Sequence, residues 1–270
     1  GRRVLVVGMG PAGFTLSHHL MNDGHVVVGI DGLKIEPLPP ALSGVDAHGK
    51  RVPMQPVHDV NALYEQLDER SMAGFGGVAE YGITVRWDKN FLKLIYLSLA
   101  RRPHFQVFGG VRFGGTLTVE DAWKLGFDHI AICIGAGLPQ ALPIPGSLAP
   151  GMRQANDFLM ALQLTGAAKH SSLANLQVRL PAVVIGGGAI GCEFASMMSD
   201  LGTKVTILEY APKILPGCDE DATRVVERSF KKRGIGIRTG VAVTGQQTGP
   251  DGVTLSFGEG ETITVETVVI

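Results

Sequence analysis

The chain has 270 residues, of which 45% are hydrophobic and 18% charged, so it can bury the core of one large or two medium globular domains. Its formal net charge at pH 7 is -1. The near-neutral charge gives no electrostatic footprint for a nucleic-acid or anionic membrane partner. The apolar runs fall far short of the roughly 20 residues that cross a bilayer, and the first residues lack signal-peptide features, so we expect a cytoplasmic protein that binds small molecules or another protein.

The first predicted unit is a strand, a tight glycine turn, a helix and a second strand. The apolar run Arg3–Val7 ends at the segment Gly8-Met9-Gly10-Pro11-Ala12-Gly13, where a helical pattern opens. The helix is predicted over residues 12 to 23 and the second strand over Val26–Ile30, which ends at Asp31. The inner face of this helix is expected to carry Phe14, Leu16, His19 and Leu20.

The same unit occurs again in the second half of the chain. The strand Ala182–Ile185 leads into Gly186-Gly187-Gly188-Ala189-Ile190-Gly191, a helix predicted to residue 201, and a strand over 204 to 208 that ends at Glu209. Each copy has a glycine 16 positions after its first glycine and an acid 23 positions after it. The repeated spacing outweighs the alternative of two glycine-rich turns that bind nothing.

This layout is what a dinucleotide requires. The first glycine permits the turn, the second lets the backbone approach a pyrophosphate, and the third lets the helix pack closely on the strand. The helix N-terminus offers free N–H groups and a positive dipole end to the phosphates, and the acid accepts hydrogen bonds from a ribose. The sequence therefore predicts two dinucleotide sites.

These motifs resemble the two-dinucleotide-binding-domain flavoproteins, a superfamily that includes pyridine nucleotide-disulfide reductases, the glutamate synthase small subunit and adrenodoxin reductase. The first glycine segment is similar to its FAD fingerprint, with Asp31 at the ribose-binding acid. Residues 75 to 83 resemble the glutamate synthase branch's segment beside the flavin ring, with Glu80 where that branch usually has Arg. Residues 105 to 114 resemble a strand that meets the adenine at Val111, and residues 127 to 136 a segment that closes the first half of the FAD domain.

The resemblance implies an α/β protein with two Rossmann-like domains, an FAD-binding domain over residues 1 to 150 and an NAD(P)H-binding domain over residues 151 to 270. Each is expected to be a parallel sheet flanked by helices. The predicted cofactor-binding residues are Gly8, Gly10, Pro11, Ala12, Gly13, Asp31, Gly77, Val78, Val111 and Gly135 for FAD, and Gly186, Gly188, Ala189, Ile190, Gly191, Glu193 and Glu209 for NAD(P)H.

Two acids of the second unit carry finer expectations. The carboxylate of Glu209 is expected to accept a hydrogen bond from the 2′-hydroxyl of NAD and to repel the 2′-phosphate of NADP. Residues 210 to 213 contain one Lys and no Arg that could hold such a phosphate, so we expect a preference for NADH. By resemblance Glu193 lies near the nicotinamide side of the site. The alternative for Glu193 is an acid at a helix start that the dipole favours whatever the function.

The three cysteines, Cys133, Cys192 and Cys218, match no disulfide framework, no zinc-ligand spacing and no C-x-x-x-x-C redox pair. Cys192 follows a fingerprint close to a helix N-terminus, which could lower the pKa of its thiol, but a small buried hydrophobe is the stronger interpretation. We expect no dithiol relay and no metal site, and the sequence identifies no catalytic residue.

The sequence thus predicts an FAD-dependent oxidoreductase that passes hydride from NADH to FAD and on to an unidentified acceptor. The glutamate synthase resemblance suggests an iron–sulfur partner or domain. The rival is a non-catalytic regulatory or scaffold module with the same fold. In the resembled family the chain continues after the strand predicted at the end of this sequence with a segment that returns to the FAD domain and carries a Gly-Asp dipeptide. This sequence stops within an apolar run and contains no Gly-Asp dipeptide, so we expect a fragment whose FAD domain lacks its C-terminal segment and holds FAD weakly.

Overall fold

The protein's computed structural model describes residues 1–66, 69, 74–81, 89–135, 143–164, 166 and 181–270. These residues form two compact units, and the division falls after the described residue Gly135 and before Pro143. The predicted boundary at residue 150 stays a prediction. Among the described helices, none has both the length and the apolar character that a membrane span needs.

The first unit is built on a parallel sheet. Its elements in chain order are β1 (Arg3–Val7), α1 (Pro11–Asn22), β2 (Val26–Ile30), α2 (Pro40–Ser43), a 3-10 turn (Val60–Leu63), α3 (Val78–Tyr81), α4 (Lys89–Ala100), β3 (Phe105–Phe108), α5 (Val119–Lys124) and β4 (His129–Ile132). The strand order is β3-β2-β1-β4, with every pairing parallel. This is the 3-2-1-4 order of a dinucleotide-binding fold, which places the ends of β1 and β2 side by side.

The core of the first unit lies on both faces of this sheet. On one face Phe75 stacks between two rings, with centroids 5.9 Å from Phe14 of α1 and 4.7 Å from Tyr96 of α4. On the other face Ala122 of α5 is fully buried against strand residues such as Leu5. Covering both faces removes the β1 backbone from solvent and leaves the strand ends as the accessible part of the sheet.

The inner face of α1 differs from the prediction. His19 is exposed, and the buried residues are Gly13, Phe14, Ser17 and Met21. Ser17 is tolerated there because its hydroxyl donates a hydrogen bond of 2.7 Å to the Gly13 carbonyl, which satisfies the polar group. A small side chain also lets the helix lie close to the sheet, a requirement that hydrophobicity alone does not reveal.

The second unit repeats this architecture. Its elements are β5 (Met152–Arg153), α6 (Ala155–Leu164), β6 (Ala182–Ile185), α7 (Ala189–Asp200), β7 (Val205–Glu209), α8 (Glu220–Lys232), β8 (Gly236–Thr239), β9 (Val243–Gly249), β10 (Gly252–Phe257), β11 (Glu261–Val265) and β12 (Thr267–Val269). The parallel sheet has the order β5-β12-β6-β7-β8, so β6, β7 and β8 correspond to β1, β2 and β3. The prediction of an α/β protein with two Rossmann-like folds is confirmed.

A three-stranded antiparallel sheet, β11-β10-β9, was not predicted from the sequence. The alternate residues Val253, Leu255 and Phe257 of β10 are buried and join a core with Val183 and Val268. The expectation of only a parallel sheet flanked by helices was therefore incomplete for this unit. The antiparallel sheet adds apolar cover to β6 and β12 that helices supply elsewhere.

Candidate functional site

The two glycine loops have the same backbone shape. Gly8 has a φ of 95° and Gly186 a φ of 101°, a region that residues with a side chain rarely adopt. In both loops this glycine donates its N–H to a carbonyl near the end of the neighbouring strand, Gly8 to Ile30 and Gly186 to Leu208, each at 2.8 Å. The internal repeat seen in the sequence is therefore a repeat of three-dimensional structure.

The third glycine of each loop is required by packing. A Cβ added at Gly13 would lie 1.8 Å from the carbonyl oxygen of Gly8, and a Cβ at Gly191 would lie 1.8 Å from that of Gly186. Both contacts are with backbone, which has no freedom to move aside. These two glycines bring α1 and α7 against the turns from which they begin.

The second glycine of each loop is different, because the fold itself does not require it. Gly10 and Gly188 have φ near −70° and extended ψ, a conformation open to any residue. A Cβ at Gly188 would meet nothing within 4 Å, and one at Gly10 would make only an ordinary contact, 3.6 Å from the Cα of Gly77. Both residues are helix N-caps without a side-chain cap, so N–H groups of the first turn remain available to an anion.

The two predicted acids close the loops in the same way. Asp31 accepts hydrogen bonds from the N–H groups of Met9 at 2.9 Å and Leu33 at 3.0 Å. Glu209 accepts from the N–H of Gly187, the residue equivalent to Met9, and from that of Ala211 at 2.6 Å. Each carboxylate thus fixes the loop beside it. Since an ionised carboxylate has about four acceptor positions, each acid retains capacity for a ribose hydroxyl.

A second segment crosses each loop, and sequence reasoning missed both contacts. Gly76 donates its N–H to the Met9 carbonyl at 3.1 Å, and Leu215 donates to the Gly187 carbonyl at 2.7 Å. Both donors have positive φ, and Leu215 is the one residue other than glycine with positive φ in the part of the chain that the structure describes. The sequence signals were weak: a Gly-Gly pair in one segment and a proline after Leu215 in the other.

The other residues predicted for FAD lie around the first loop. Gly77, with a φ of 53°, packs so closely that its Cβ would lie 2.8 Å from the Cα of Gly10. Val111 donates its N–H to the Asp31 carbonyl at 2.9 Å. Gly135 has a φ of 75°, and the nearby Cys133 carbonyl approaches Gly8. The remaining three residues lie at the starts of helices and are exposed or half-buried: Pro11, Ala12 and Val78.

The strand expected over residues 105 to 114 is shorter than predicted. β3 ends at Phe108, and Gly110 then takes a φ of 72° while it donates its N–H to the Leu33 carbonyl at 2.8 Å. A Cβ at Gly109 would lie 2.1 Å from the N atom of Ile35. The backbone therefore turns across the end of β2, which brings Val111 to Asp31. Residues 82 and 83 of the segment expected beside the flavin lie outside the described residues.

In the second unit, Ala189 and Ile190 occupy the exposed first turn of α7. Glu193 is a half-buried residue in the second turn, and the first turn of α7 contains no acid. The alternative that placed Glu193 at the start of the helix is therefore wrong, because the dipole's influence falls off within the first turn. The place of Glu193 near the nicotinamide stays a prediction.

The surroundings of Cys192 and Cys133 disfavour the thiolate. Burial, followed by the negative charge of Glu209, raises the pKa of the Cys192 thiol to about 11. Its S–H donates a hydrogen bond of 3.3 Å to the Gly187 carbonyl oxygen. Burial also raises the pKa of Cys133. Cys218 is exposed. The interpretation of Cys192 as a small buried residue agrees with this environment better than the activated thiol does.

Alkylation with iodoacetamide at pH 8 should therefore modify Cys218 first and Cys192 last. A pKa two units above the usual value lowers the thiolate fraction of Cys192 about 100-fold, and burial slows access further. Mass spectrometry of the native protein over time measures the order, and labelling in denaturant is the control in which all three thiols react. Rapid native labelling of Cys192 would contradict this environment.

The comparisons with known proteins agree with this geometry. The family described as "Pyridine nucleotide-disulphide oxidoreductase" matches residues 2–270. An uncharacterized protein of Rickettsia prowazekii is 47% identical over 193 residues, which cover 72% of this chain and 26% of that protein. Dihydrolipoyl dehydrogenase 3 of Pseudomonas aeruginosa is 27% identical over 276 residues, covering 94% of this chain and 53% of that protein.

A solved structure shows the same fold. A ferredoxin reductase from Rhodopseudomonas palustris superposes with a TM-score of 0.60 at 18% identity, covering all of this chain and 58% of that one. The chain thus spans between a quarter and about half of these curated relatives' length. The activity of a whole relative does not transfer with the fold.

Proposed function

Because the chain belongs to the pyridine nucleotide-disulphide oxidoreductase family, we propose that its first unit binds FAD and its second binds NADH. In this proposal the protein is an FAD-dependent oxidoreductase that takes electrons from NADH and delivers them to a separate acceptor. FAD, when bound, supplies the centre that accepts a hydride from reduced nicotinamide. The side chains and backbone of this chain bind and orient the two cofactors.

One observation carries the proposal: position 188 is a glycine although the fold itself does not require one there. Its φ and ψ suit any residue, and the space where a Cβ would stand is open. Such space in front of an uncapped helix N-terminus fits a pyrophosphate. Gly10 has the same conformation at the start of α1. Titration calorimetry with NADH on the wild type and on Gly188→Val tests the proposal.

For the acceptor, we propose an iron–sulfur protein or domain. The ferredoxin reductase named above supports this choice, since ferredoxins carry iron–sulfur clusters. The relatives named dihydrolipoyl dehydrogenase favour a disulfide acceptor instead. Against that alternative, this chain has no C-x-x-x-x-C pair, and burial disfavours the thiolate of Cys192. The glutamate synthase branch stays a prediction from the segment at residues 75 to 83.

An open edge of the first sheet supports the proposal that the FAD unit takes a further strand. β4 pairs only with β1 among the described strands, and beside this edge Ile132 and Ile134 are 56% and 65% exposed. A strand added to β4 would pair its free backbone groups and cover apolar surface. FAD binding by the first unit is therefore proposed to depend on that strand more than NADH binding by the second unit does.

The preference for NADH rests on Glu209. Replacing it with glutamine should narrow the NADH to NADPH preference by about tenfold, because the repulsion of a 2′-phosphate by one partly exposed charge is lost. Competition binding with the two nucleotides measures the ratio. The matched control is Asp31→Asn, which alters the same contacts in the first unit and should leave the ratio unchanged. A wild-type protein that prefers NADPH would contradict the role of Glu209.

A further inference from the structure

Tyr210 is an aromatic side chain that the fold of its own unit does not use. It follows Glu209 at the end of β7, and its exposed fraction of 80% is higher than that of any other Phe, Tyr or Trp that the structure describes. Aromatic side chains usually contribute to stability by burial, so a ring left in water at a ligand site is a candidate for contact with the ligand.

The backbone on either side of Tyr210 is fixed. The Glu209 carbonyl accepts the Val241 N–H at 3.0 Å, and the Ala211 carbonyl accepts the Gly240 N–H at 2.9 Å. The Ala211 N–H is bonded in turn to the Glu209 carboxylate. Tyr210 therefore projects from a short segment that is tied down before and after it, which limits the entropy lost when the ring contacts a ligand.

The bound ligand's own chemistry sets the direction. In the proposed binding mode the pyrophosphate lies at the start of α7 and the adenosine ribose lies at the Glu209 carboxylate. Base and pyrophosphate leave a ribose from different carbons, so the base extends past Glu209 and away from the glycine loop. The first residue on that side is Tyr210.

We propose that Tyr210 stacks on the adenine ring and is a specificity-determining residue for the adenosine half of the dinucleotide, an inference that rests on the proposed function. The first unit has no ring at the equivalent position. The residue after its acid is Gly32, where an added Cβ would meet nothing within 4 Å. The two sites therefore share the loop and the acid and differ in how they hold the base.

Binding to the intact protein tests this, with ADP-ribose as the adenosine probe and nicotinamide mononucleotide as the probe without adenine. Tyr210→Ala should weaken ADP-ribose and NADH binding by about 5- to 150-fold, the range that loss of one base–aromatic stack gives. Binding of the mononucleotide should not change. Tyr210→Phe should restore wild-type affinity because stacking needs the ring and not the hydroxyl. In Tyr210→Trp, ADP-ribose should change the emission of the new indole.

The matched control is Leu201→Ala, which removes another exposed apolar side chain of the same unit, 58% exposed, at the opposite end of α7. It should bind as the wild type does. If Tyr210→Ala binds ADP-ribose with wild-type affinity, or if Tyr210→Phe is as weak as Tyr210→Ala, the stacking role is wrong while the proposed function stands. If the wild type binds neither NADH nor ADP-ribose, both fail.

Discussion

Replacing Gly191 with alanine is expected to lower the free energy of unfolding by about 3 kcal/mol, the upper range for forcing atoms into a packed interior. The added Cβ would stand 1.8 Å from the Gly186 carbonyl oxygen, so α7 must move off the turn that it begins from. Urea denaturation followed by circular dichroism measures the change. Gly13→Ala repeats the experiment in the first unit, where the distance to the Gly8 oxygen is the same.

The matched control for stability is Gly188→Ala, three positions earlier in the same loop. Its backbone conformation suits alanine and its Cβ has free space, so the unfolding free energy should change by less than about 0.5 kcal/mol. Equal stability of the Gly191 and Gly188 variants would show that the loop is not shaped as described.

Replacing Gly188 with valine should abolish most of the binding of NADH to the second unit while the protein stays folded. The larger side chain fills the space before the first turn of α7 and holds a pyrophosphate away from the N–H groups there. Losing about 3 kcal/mol of charge-assisted hydrogen bonds corresponds to a loss of affinity of about 100-fold or more. Titration calorimetry with NADH measures it, with circular dichroism as the check on folding.

Gly249→Val is the control for this substitution. Gly249 ends β9 in the same unit, and an added Cβ there also meets nothing within 4 Å. This variant should bind NADH as the wild type does. A folded Gly188→Val protein with unchanged NADH affinity would contradict the inference that a pyrophosphate binds in the open space at Gly188, on which the proposed function rests.

Much of the candidate site could be predicted because it is local in sequence. The turn at Gly8, the N-terminus of α1 and the acid Asp31 lie within one strand–helix–strand unit, and their offsets recur at Gly186 and Glu209. Each position has a steric or electrostatic cause that the residue type reveals: positive φ, a backbone approach or a charge. The loops, the acids and their strands therefore lie where the sequence placed them.

What the sequence did not reveal depends on contacts between distant segments. Gly76 and Leu215 reach the loops from outside the two strand–helix–strand units, and no periodic pattern marks a single donated N–H. The antiparallel sheet was missed because β9 is rich in Gly, Thr and Gln, which give a weak strand signal. The prediction also placed His19 on the inner face of α1, where Ser17 is buried instead. A small residue such as Ser17 is buried there for its size, which a hydrophobic pattern does not reveal.

The most direct test of the central claim, that FAD and NADH act together in one oxidoreductase, is the visible absorption spectrum of the FAD-loaded protein before and after NADH is added without oxygen. The account predicts rapid loss of the oxidised flavin absorbance, faster with NADH than with NADPH. Flavin that stays oxidised although calorimetry shows both nucleotides bound would contradict the claim and favour a non-catalytic binding module.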